Sequence, residues 1–441
     1  MLERSRLWDE ERLREYQWAR IHAIITHAYH NTAFYRRRYE EVGAHPKDIR
    51  TWEDFARLPF VTRTEAINFR EEFIPRNFGD FNPIETHTSG STGQPLKLWR
   101  SRDTELMRRA IVWRWRHALG VTYRDTTADL SGYQMKYDPG AVAGFNPCEN
   151  EWHINPEARN RENTAAVFDT LRRAHPQLVH GAPTVFTIYG HYARELGLDP
   201  LEIPVIITVG ECHNSLHRRV IEAMYSRRVF DYYGNRENTM IATQCEVNGP
   251  YLIAGEFCYL EALDERARPI QAGQSGEVVS TTLTNYAFPL IRYRTGDIAT
   301  PGLFVRSEHI NAHSLDAIGG RRRNLLLTRD GARAIDPHDI TERTGFTRVK
   351  FFRIIQRSLL EIDVEVVPEA AYERVRDEAI FRDLFTKIFA EEVSLTFHYL
   401  DNIPAGPNGK APIVESLPAE RYLNDSWKPG DTGRTRTPIQ R

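Results

Sequence analysis

The chain has 441 residues, which exceeds the size at which one hydrophobic core keeps growing, so we expect two domains. Its 41% hydrophobic and 27% charged residues are typical of a globular protein with ample core material, and a formal net charge of −2 gives no reason to expect a nucleic-acid partner. No run of about 18 apolar residues exists, and the N-terminus lacks the apolar stretch of a signal peptide, so we expect a cytoplasmic protein with no membrane partner.

The first chemically informative segment of the chain is residues 86–97, which follow a helix-rich stretch at residues 7–43. Glycines let backbone N–H groups approach an anion, and clustered hydroxyls donate further hydrogen bonds, so the segment suits phosphate. Its candidate phosphate-binding residues are Thr88, Ser89, Gly90, Ser91, Thr92, Gly93 and Lys97. A plain surface turn is the alternative interpretation. Gln94 and Pro95 follow Gly93, which disfavours a P-loop kinase or GTPase.

Residues 100–235 alternate between helical and short apolar segments. Helices are predicted at 104–119, 163–174, 184–196 and 215–224. Strands are predicted at 178–180, 205–209 and 229–232. Such alternation favours parallel strands joined by crossover helices, and ligands of such sheets lie beyond the carboxyl ends of the strands. Gly210-Glu211 and Tyr233-Gly234 would fall there.

The pattern changes twice in the rest of the chain. Residues 250–310 read as strands and turns, which predicts a small antiparallel subdomain. After residue 321, β-rich segments surround an amphipathic helix at 369–390, which predicts a small α+β domain. We therefore expect an α/β fold with a large N-terminal domain at 1–321 that contains mostly parallel sheets, helices and the antiparallel subdomain. A mobile C-terminal domain at 322–423 and a loose tail at 424–441 would follow.

Four further motifs follow the hydroxyl-rich segment, each at an apparent break between periodic segments. They are Tyr232-Tyr233-Gly234-Asn235-Arg236-Glu237, Tyr293-Arg294-Thr295-Gly296-Asp297, Gly319-Gly320-Arg321 and Asn408-Gly409-Lys410. Together they resemble the adenylate-forming superfamily of acyl-CoA synthetases, and most closely its phenylacetate-CoA ligase-like branch, which includes CapK-type proteins. The resemblance runs from about residue 7 to about residue 415.

The resemblance implies a nucleotide site. Thr88 to Gly93 and Lys97 would bind the β- and γ-phosphates of ATP, in a positional and electrostatic role. Tyr233 would stack on adenine, with Gly210, Glu211, Tyr232, Gly234 and Asn235 around it. Asp297 would accept both ribose hydroxyls, and Arg321 would lie near the ribose and phosphate at the domain junction. An ordinary strand-end turn is the alternative for Gly210-Glu211.

The resemblance also assigns three catalytic residues and a hinge. Glu237 would coordinate Mg²⁺, which suits a hard cation held by one protein oxygen, phosphates and water. Arg236 replaces a small residue of the commoner pattern, so it would either add charge at the α-phosphate or point to solvent. Lys410 would bridge the substrate carboxylate and the α-phosphate from the mobile domain. Asn324 stands where the family places its hinge residue.

These assignments predict ATP-dependent activation of a carboxylic acid, followed by acyl transfer to coenzyme A. An amine or hydroxyl acceptor is one alternative, and a non-catalytic nucleotide-binding relative is another. A homodimer is left open, and the sequence identifies neither the acid nor its pathway. Aromatic and small residues at 132–145 and at 180–182 are candidates for an acyl pocket or for ordinary core packing.

Overall fold

A computed structural model describes most of the chain. It covers residues 2–88, 95–131, 135–237, 240–264, 266–321, 325–328, 334–335, 348–389, 393–406 and 409–418. The α-helices are α1 (Leu2–Ser5), α2 (Glu10–Asn31), α3 (Ala33–Glu41), α4 (Trp52–Ala56), α5 (Arg63–Asn68), α6 (Arg102–Ala118), α7 (Arg161–Ala174), α8 (Pro183–Glu195), α9 (Ser215–Met224) and α10 (Arg374–Phe389). Short 3-10 helices cover Pro46–Asp48, Arg70–Phe73, Phe78–Phe81 and Pro156–Ala158.

The strands fall into two groups along the chain. The first group is β1 (Ile84–His87), β2 (Lys97–Arg100), β3 (Thr127–Asp129), β4 (Ala143–Asn146), β5 (Glu151–Ile154), β6 (Leu178–Gly181), β7 (Val205–Val209), β8 (Val229–Gly234), β9 (Ile241–Gln244) and β10 (Tyr251–Ile253). The second group is β11 (Cys258–Leu263), β12 (Gly276–Thr282), β13 (Tyr293–Val305), β14 (Ala312–Arg321), β15 (Leu326–Leu327), β16 (Ala334–Ile335), β17 (Val349–Gln356), β18 (Glu361–Pro368), β19 (Ser394–Tyr399) and β20 (Val414–Ser416).

The chain divides into two compact units that differ from the predicted domains. One unit is Met1–Thr122 with Tyr232–Ile318, and the other is Tyr123–Asp231 with Gly319–Arg441. The division therefore falls inside β8 and again inside β14. The predicted boundary after residue 321, which concerns a moving domain, stays a prediction.

The first unit is built from antiparallel strands and the N-terminal helices. Its strands follow the order β11-β12-β13-β14-β10-β9-β8, and β1 pairs separately with β2. Helices α2 and α3 supply one core, in which Phe34 stacks on Phe73 with ring centroids 4.0 Å apart. Aromatic burial of this kind contributes about 1.5–3 kcal/mol per side chain. The predicted antiparallel region is confirmed.

The second unit contains the parallel strands. Strands β7, β6, β3 and β5 are neighbours in that order and parallel, and β4 pairs antiparallel with β5 at the edge. Helices α7, α8 and α9 bury apolar faces that include Phe168, Val185 and Ile221. The C-terminal part of this unit is a four-stranded sheet, ordered β19-β18-β17-β20, with α10 packed against it. The predicted α/β class with an α+β C-terminal region is confirmed.

One predicted break is wrong. The motif that ends in Asp297 does not interrupt regular structure but lies inside β13. The register of β13 against β12 shifts there, so that Val278 alone faces the three residues from Thr295 to Asp297. Gly296 has a φ of +73°, which a bulge accommodates and most side chains disfavour. The strand thus continues through the motif as a bulge.

Candidate active site

Helix α5 places an arginine at the centre of the first unit's candidate site. Thr62 caps the helix, because its hydroxyl accepts a hydrogen bond from Glu65 N at 3.2 Å and Glu65 Oε2 accepts one from Thr62 N at 2.9 Å. The preceding residue, Val61, pairs with Tyr293 of β13 as a parallel bridge. Cap and bridge together fix Arg63 beside the start of β13.

Arg63 joins the hydroxyl-rich segment to the predicted cation ligand. Its Nη2 donates to Thr88 Oγ1 at 2.9 Å, and its Nη1 lies 3.3 Å from Glu237 Oε1. Thr88 is fixed in turn, since its Oγ1 accepts from Leu96 N at 2.8 Å. The remaining predicted phosphate-binding residues, from Ser89 to Gly93, lie outside the described residues.

The Glu237 carboxylate is buried, with 4% of the residue exposed. Its Oε1 accepts a hydrogen bond from the Tyr293 hydroxyl at 3.1 Å, in addition to the contact with Arg63. Tyr293 belongs to the motif at the start of β13. The fold therefore brings together the hydroxyl-rich segment and two of the downstream motifs.

Two residues predicted to lie near the phosphates are at least partly exposed. Lys97 Nζ lies 2.7 Å from Glu85 Oε2 across the β1–β2 pair, and both side chains are partly exposed. This contact, more than any other, lowers the pKa of Glu85. Arg236 is exposed, and its carbonyl accepts a hydrogen bond from Arg100 Nη2 at 3.2 Å.

The end of β8 separates its two tyrosines because successive strand residues point to opposite faces. Tyr232 packs with Trp115 of α6, their ring centroids 5.8 Å apart. Gly234 fits beside that ring, since an added Cβ would lie 2.7 Å from Tyr232 Cε1. Asn235 follows as a partly buried loop residue. Tyr232 thus serves the packing of α6, whereas Tyr233 is directed elsewhere.

Tyr233 contacts the residue predicted to bind ribose. Its hydroxyl donates to Asp297 Oδ2 at 2.7 Å, and Asp297 is only 5% exposed. The bulge in β13 aims this carboxylate. Thr295 Oγ1 donates to Val278 O at 2.9 Å and accepts from Asp297 N at 3.1 Å, which fixes the backbone on both sides of Gly296.

A second group of predicted residues meets within the second unit. Gly210 directly follows β7, as predicted for a strand-end loop, and has a φ of +84°. Its carbonyl accepts a hydrogen bond from Lys410 Nζ at 2.6 Å. The adjacent Glu211 accepts from Ala411 N at 2.7 Å through Oε1. The lysine segment therefore lies against the loop that follows β7.

Arg321 is the last residue of β14 and is partly buried. Gly320, directly before it, has a φ of +83°, and an added Cβ would lie 2.9 Å from Cys212 Sγ. Residues 319–321 therefore approach the loop that follows β7. Asn324, the predicted hinge, lies outside the described residues.

A cluster of acids and histidines, mostly buried, lies on the neighbouring strands β3, β5 and β6. His180 Nε2 is 2.9 Å from Glu151 Oε2, and His153 lies with Nδ1 3.7 Å from Asp129 Oδ2 and Nε2 3.5 Å from Glu151 Oε1. The Asp129 carboxylate raises the pKa of His153, which favours its protonated form. Glu151 and His153 are two residues apart in β5, and this spacing places their side chains on one strand face.

Known proteins match about three quarters of the chain, and a family model matches its C-terminal part. A family model described as the CapK C-terminal domain matches residues 331–416. The phenylacetate-coenzyme A ligase of Pseudomonas putida is 26% identical over 329 residues, which cover 72% of each chain. That of Escherichia coli (strain K12) is 25% identical over 331 residues, which cover 72% of this chain and 73% of that enzyme. The chain is therefore similar over most of its length to phenylacetate-coenzyme A ligases.

The fold of the chain also matches a solved structure. A crystal structure of 2-hydroxyisobutyryl-CoA ligase in the postadenylation state, in complex with R3-HIB-AMP, covers 96% of this chain and 93% of that chain, with a TM-score of 0.71. The two sequences are 19% identical, so the match supports the fold.

Sequence reasoning missed several residues that organise the candidate site. Arg63 is not among the site residues predicted from the sequence, and its position at a capped helix start is the local feature that marks it. Thr184 and Ala411 take part through backbone N–H groups, which no side-chain pattern reveals. Among the described residues, no helix is both long and apolar enough to cross a membrane.

Proposed function

We propose that this adenylate-forming ligase activates a carboxylic acid with ATP and transfers the acyl group to coenzyme A. In the first step a carboxylate oxygen attacks the α-phosphorus, and the bond from that phosphorus to pyrophosphate breaks. In the second step the sulfur of coenzyme A attacks the acyl carbon, and AMP leaves with the carboxylate oxygen. The similarity to named phenylacetate-coenzyme A ligases supports both steps.

One observation carries the proposal: Arg63 bridges Thr88 and Glu237 in the first unit. The bridge places the start of the hydroxyl-rich segment beside a buried carboxylate, with N···O distances of 2.9 and 3.3 Å. A buried carboxylate, an arginine and hydroxyl groups together suit a metal-bound polyphosphate, since they supply cation coordination and neutralising charge. Arg63 would bind phosphate when ATP enters.

Glu237 fits the role of cation ligand. Its buried carboxylate, which accepts from Tyr293 and contacts Arg63, would hold Mg²⁺ together with the ATP phosphates. A bound Mg²⁺ would neutralise charge on the ATP phosphates and on departing pyrophosphate. The hydrogen bond from Tyr293 would hold the carboxylate in orientation during this exchange of partners.

The nucleoside would lie against Tyr233 and Asp297. The tyrosine ring offers a stacking surface for adenine, and the aspartate accepts hydrogen bonds from ribose hydroxyls. Lys410 would donate to the substrate carboxylate and to the α-phosphate as negative charge builds there. Arg236 is exposed and we assign it a supporting charge near the α-phosphate.

The test is carboxylate-dependent exchange of radiolabelled pyrophosphate into ATP, measured over a panel of aromatic, aliphatic and hydroxylated acids. Exchange with one class of acid, followed by an acyl-CoA product on addition of coenzyme A, is expected. If an amide or ester forms with an amine or hydroxyl acceptor and no product forms with coenzyme A, the acyl acceptor is that amine or hydroxyl compound. ATP binding without exchange for any acid would overturn the ligase activity. The oligomeric state stays open, and size-exclusion chromatography with light scattering measures it.

A further inference from the structure

The N-terminus of α8 is capped from a distant part of the second unit. The residue before the helix is Ala182, whose side chain cannot accept a hydrogen bond, and Pro183 in the first turn has no N–H. Thr184 N donates instead to Glu211 Oε2 at 3.1 Å. A carboxylate is well suited to this position because it also interacts favourably with the helix dipole.

The same carboxylate also binds the lysine segment. Glu211 Oε1 accepts a hydrogen bond from Ala411 N at 2.7 Å, while Oε2 caps the helix. Ala411 is the residue directly after Lys410. One side chain therefore ties the start of α8 to the backbone that carries the proposed catalytic lysine.

Lys410 is held by the neighbouring residue of the same loop. Its Nζ donates to Gly210 O at 2.6 Å, so consecutive residues of the loop, Gly210 and Glu211, bind consecutive residues of the lysine segment. The fit is close: a Cβ added at Gly210 would lie 2.7 Å from Lys410 Nζ. The φ of +84° at Gly210 is also a conformation that glycine adopts at low cost.

The charge state of Glu211 depends on these contacts. Removal of its carboxylate from water raises its pKa, whereas the Thr184 N–H and the nearby Lys410 oppose that rise. If the lysine segment moved away, the carboxylate would lose the Ala411 N–H and the favourable charge of Lys410 together. The contact therefore stabilises the arrangement in which Lys410 lies against the loop.

We propose that Glu211 is a positioning residue that seats Lys410 for the adenylation step. This inference rests on the proposed function and gives Glu211 a role other than the nucleotide contact that the resemblance implies. Helix α8 also has exposed contacts with the C-terminal part. Lys350 Nζ lies 2.5 Å from Glu195 Oε1, and Tyr192 donates to Asn402 Oδ1 at 3.1 Å, both at exposed positions. Exposed pairs of this kind contribute little to stability.

The test separates the two half-reactions in Glu211→Ala, Glu211→Gln and Lys410→Ala. Adenylation is measured by pyrophosphate exchange, and thioester formation is measured from a supplied acyl-adenylate with coenzyme A. We expect kcat for adenylation to fall about 10- to 100-fold in Glu211→Ala, since hydrogen bonds to a charged group are lost. Glu211→Gln retains one acceptor oxygen, so its kcat for adenylation should fall less than that of Glu211→Ala. Thioester formation should stay within about twofold of wild type in all three variants, since Lys410 would act only in adenylation.

The control is Glu222→Gln, which removes an exposed carboxylate of α9 that pairs with Arg218. It should leave both half-reactions unchanged. Equal pyrophosphate-exchange rates in wild type and Glu211→Ala would overturn the positioning role of Glu211 but not the proposed function. Equal losses of rate in the two half-reactions of Glu211→Ala would have the same meaning. Absence of exchange in the wild type would instead overturn the proposed function.

A second readout does not depend on catalysis. Ala411 N–H is the donor to Glu211, so hydrogen–deuterium exchange in a peptide that spans residues 409–418 reports the contact directly. Exchange in this peptide should be at least several-fold faster in Glu211→Ala than in wild type without substrates. Unchanged hydrogen–deuterium exchange in this peptide would contradict the positioning role of Glu211, even if the preparation is catalytically inactive.

Discussion

The hydroxyl of Tyr233 donates a hydrogen bond to Asp297 Oδ2 at 2.7 Å, which ties the end of β8 to the bulge in β13. In the proposed function these two residues bind adenine and ribose. The bond holds the tyrosine ring and the carboxylate in one fixed arrangement before nucleotide binds. The proposed nucleoside site is thus partly preorganised within the first unit.

Loss of this bond should weaken nucleotide binding. Tyr233→Phe keeps the stacking surface but removes the donor, so we expect KM for ATP in pyrophosphate exchange to rise roughly tenfold with kcat little changed, because a hydrogen bond to a charged group contributes about 1.5–3 kcal/mol. Tyr29→Phe is a matched control, since the Tyr29 hydroxyl contacts the exposed Glu40 at 3.4 Å. An unchanged KM for ATP in Tyr233→Phe would contradict the assignment.

Arg63 should act in adenylation although no motif marks it. Arg63→Ala removes the link between Thr88 and Glu237, and we expect kcat/KM for ATP to fall roughly 10- to 100-fold, since a charge-assisted contact with phosphate is lost. Arg63→Lys keeps the charge but not the two hydrogen-bonding nitrogens of the guanidinium, so its kcat/KM for ATP should lie between those of wild type and Arg63→Ala. Arg70→Ala, which breaks an exposed pair with Glu71, is the control. Wild-type kinetics in Arg63→Ala would remove this residue from the site.

A methyl group at position 409 should displace the lysine segment. Gly409 has a φ of +73°, and an added Cβ would lie 2.6 Å from both Val185 Cγ2 and Arg159 Nη1. Gly197→Ala is the matched control in the same unit, because Gly197 has a φ of +67° with nothing within 4 Å of an added Cβ.

Both substitutions should cost roughly 1–2 kcal/mol of backbone strain in the free energy of unfolding. Only Gly409→Ala should also reduce adenylation, by tenfold or more, because only its methyl group collides with neighbours. Urea unfolding and pyrophosphate exchange measure the two effects separately. Equal exchange rates in the two variants would show that the position of the lysine segment does not limit adenylation.

His191 should make the second unit sensitive to acid. Burial, with Arg194 and Lys350 nearby, lowers the pKa of His191 from 6.5 to about 4. The unfolded chain therefore takes up a proton that the folded chain excludes, and the stabilisation that is complete above pH 6.5 is lost as the pH falls toward 4. Between pH 7.5 and 5 this residue should account for a loss of about 2 kcal/mol.

The comparison of wild type with His191→Gln at the two pH values measures this loss. The variant retains a hydrogen-bond donor for Lys350 O, which lies 3.3 Å from His191 Nε2, but does not titrate. Between pH 7.5 and 5, the free energy of unfolding of His191→Gln should therefore fall by about 2 kcal/mol less than that of wild type. Burial also lowers the pKa of His217, to about 3. His217 should therefore account for the acid sensitivity that remains in His191→Gln. Parallel pH dependence of the two proteins would show that His191 is not the responsible group.

The sequence was informative where a local pattern determines structure. Helix α9 and strand β7 have the predicted bounds, because amphipathic spacing and an apolar run mark them. The motif before Asp297 looked like a break because Gly296 is a turn residue, yet the same positive φ serves a bulge inside a strand. The same local sequence pattern is thus compatible with a turn and with a bulge.

The contacts that organise the site could not be predicted in the same way. Arg63, Thr88 and Glu237 lie far apart in the chain, and their contacts depend on how β1, α5 and the end of β8 pack in the first unit. Glu211 is similar, because its partners are backbone N–H groups that every residue other than proline carries. Side-chain motifs identify such residues as candidates but do not indicate what they contact.

The most direct test of adenylate formation follows the carboxylate oxygen. The accepted acid is labelled with oxygen-18 in its carboxylate and incubated with ATP, Mg²⁺, coenzyme A and the wild-type protein, and the AMP is analysed by mass spectrometry. Attack of the carboxylate on the α-phosphorus predicts AMP that carries one oxygen-18 atom. AMP without the label, or label in inorganic phosphate, would show that no acyl-adenylate forms and would contradict the proposed chemistry.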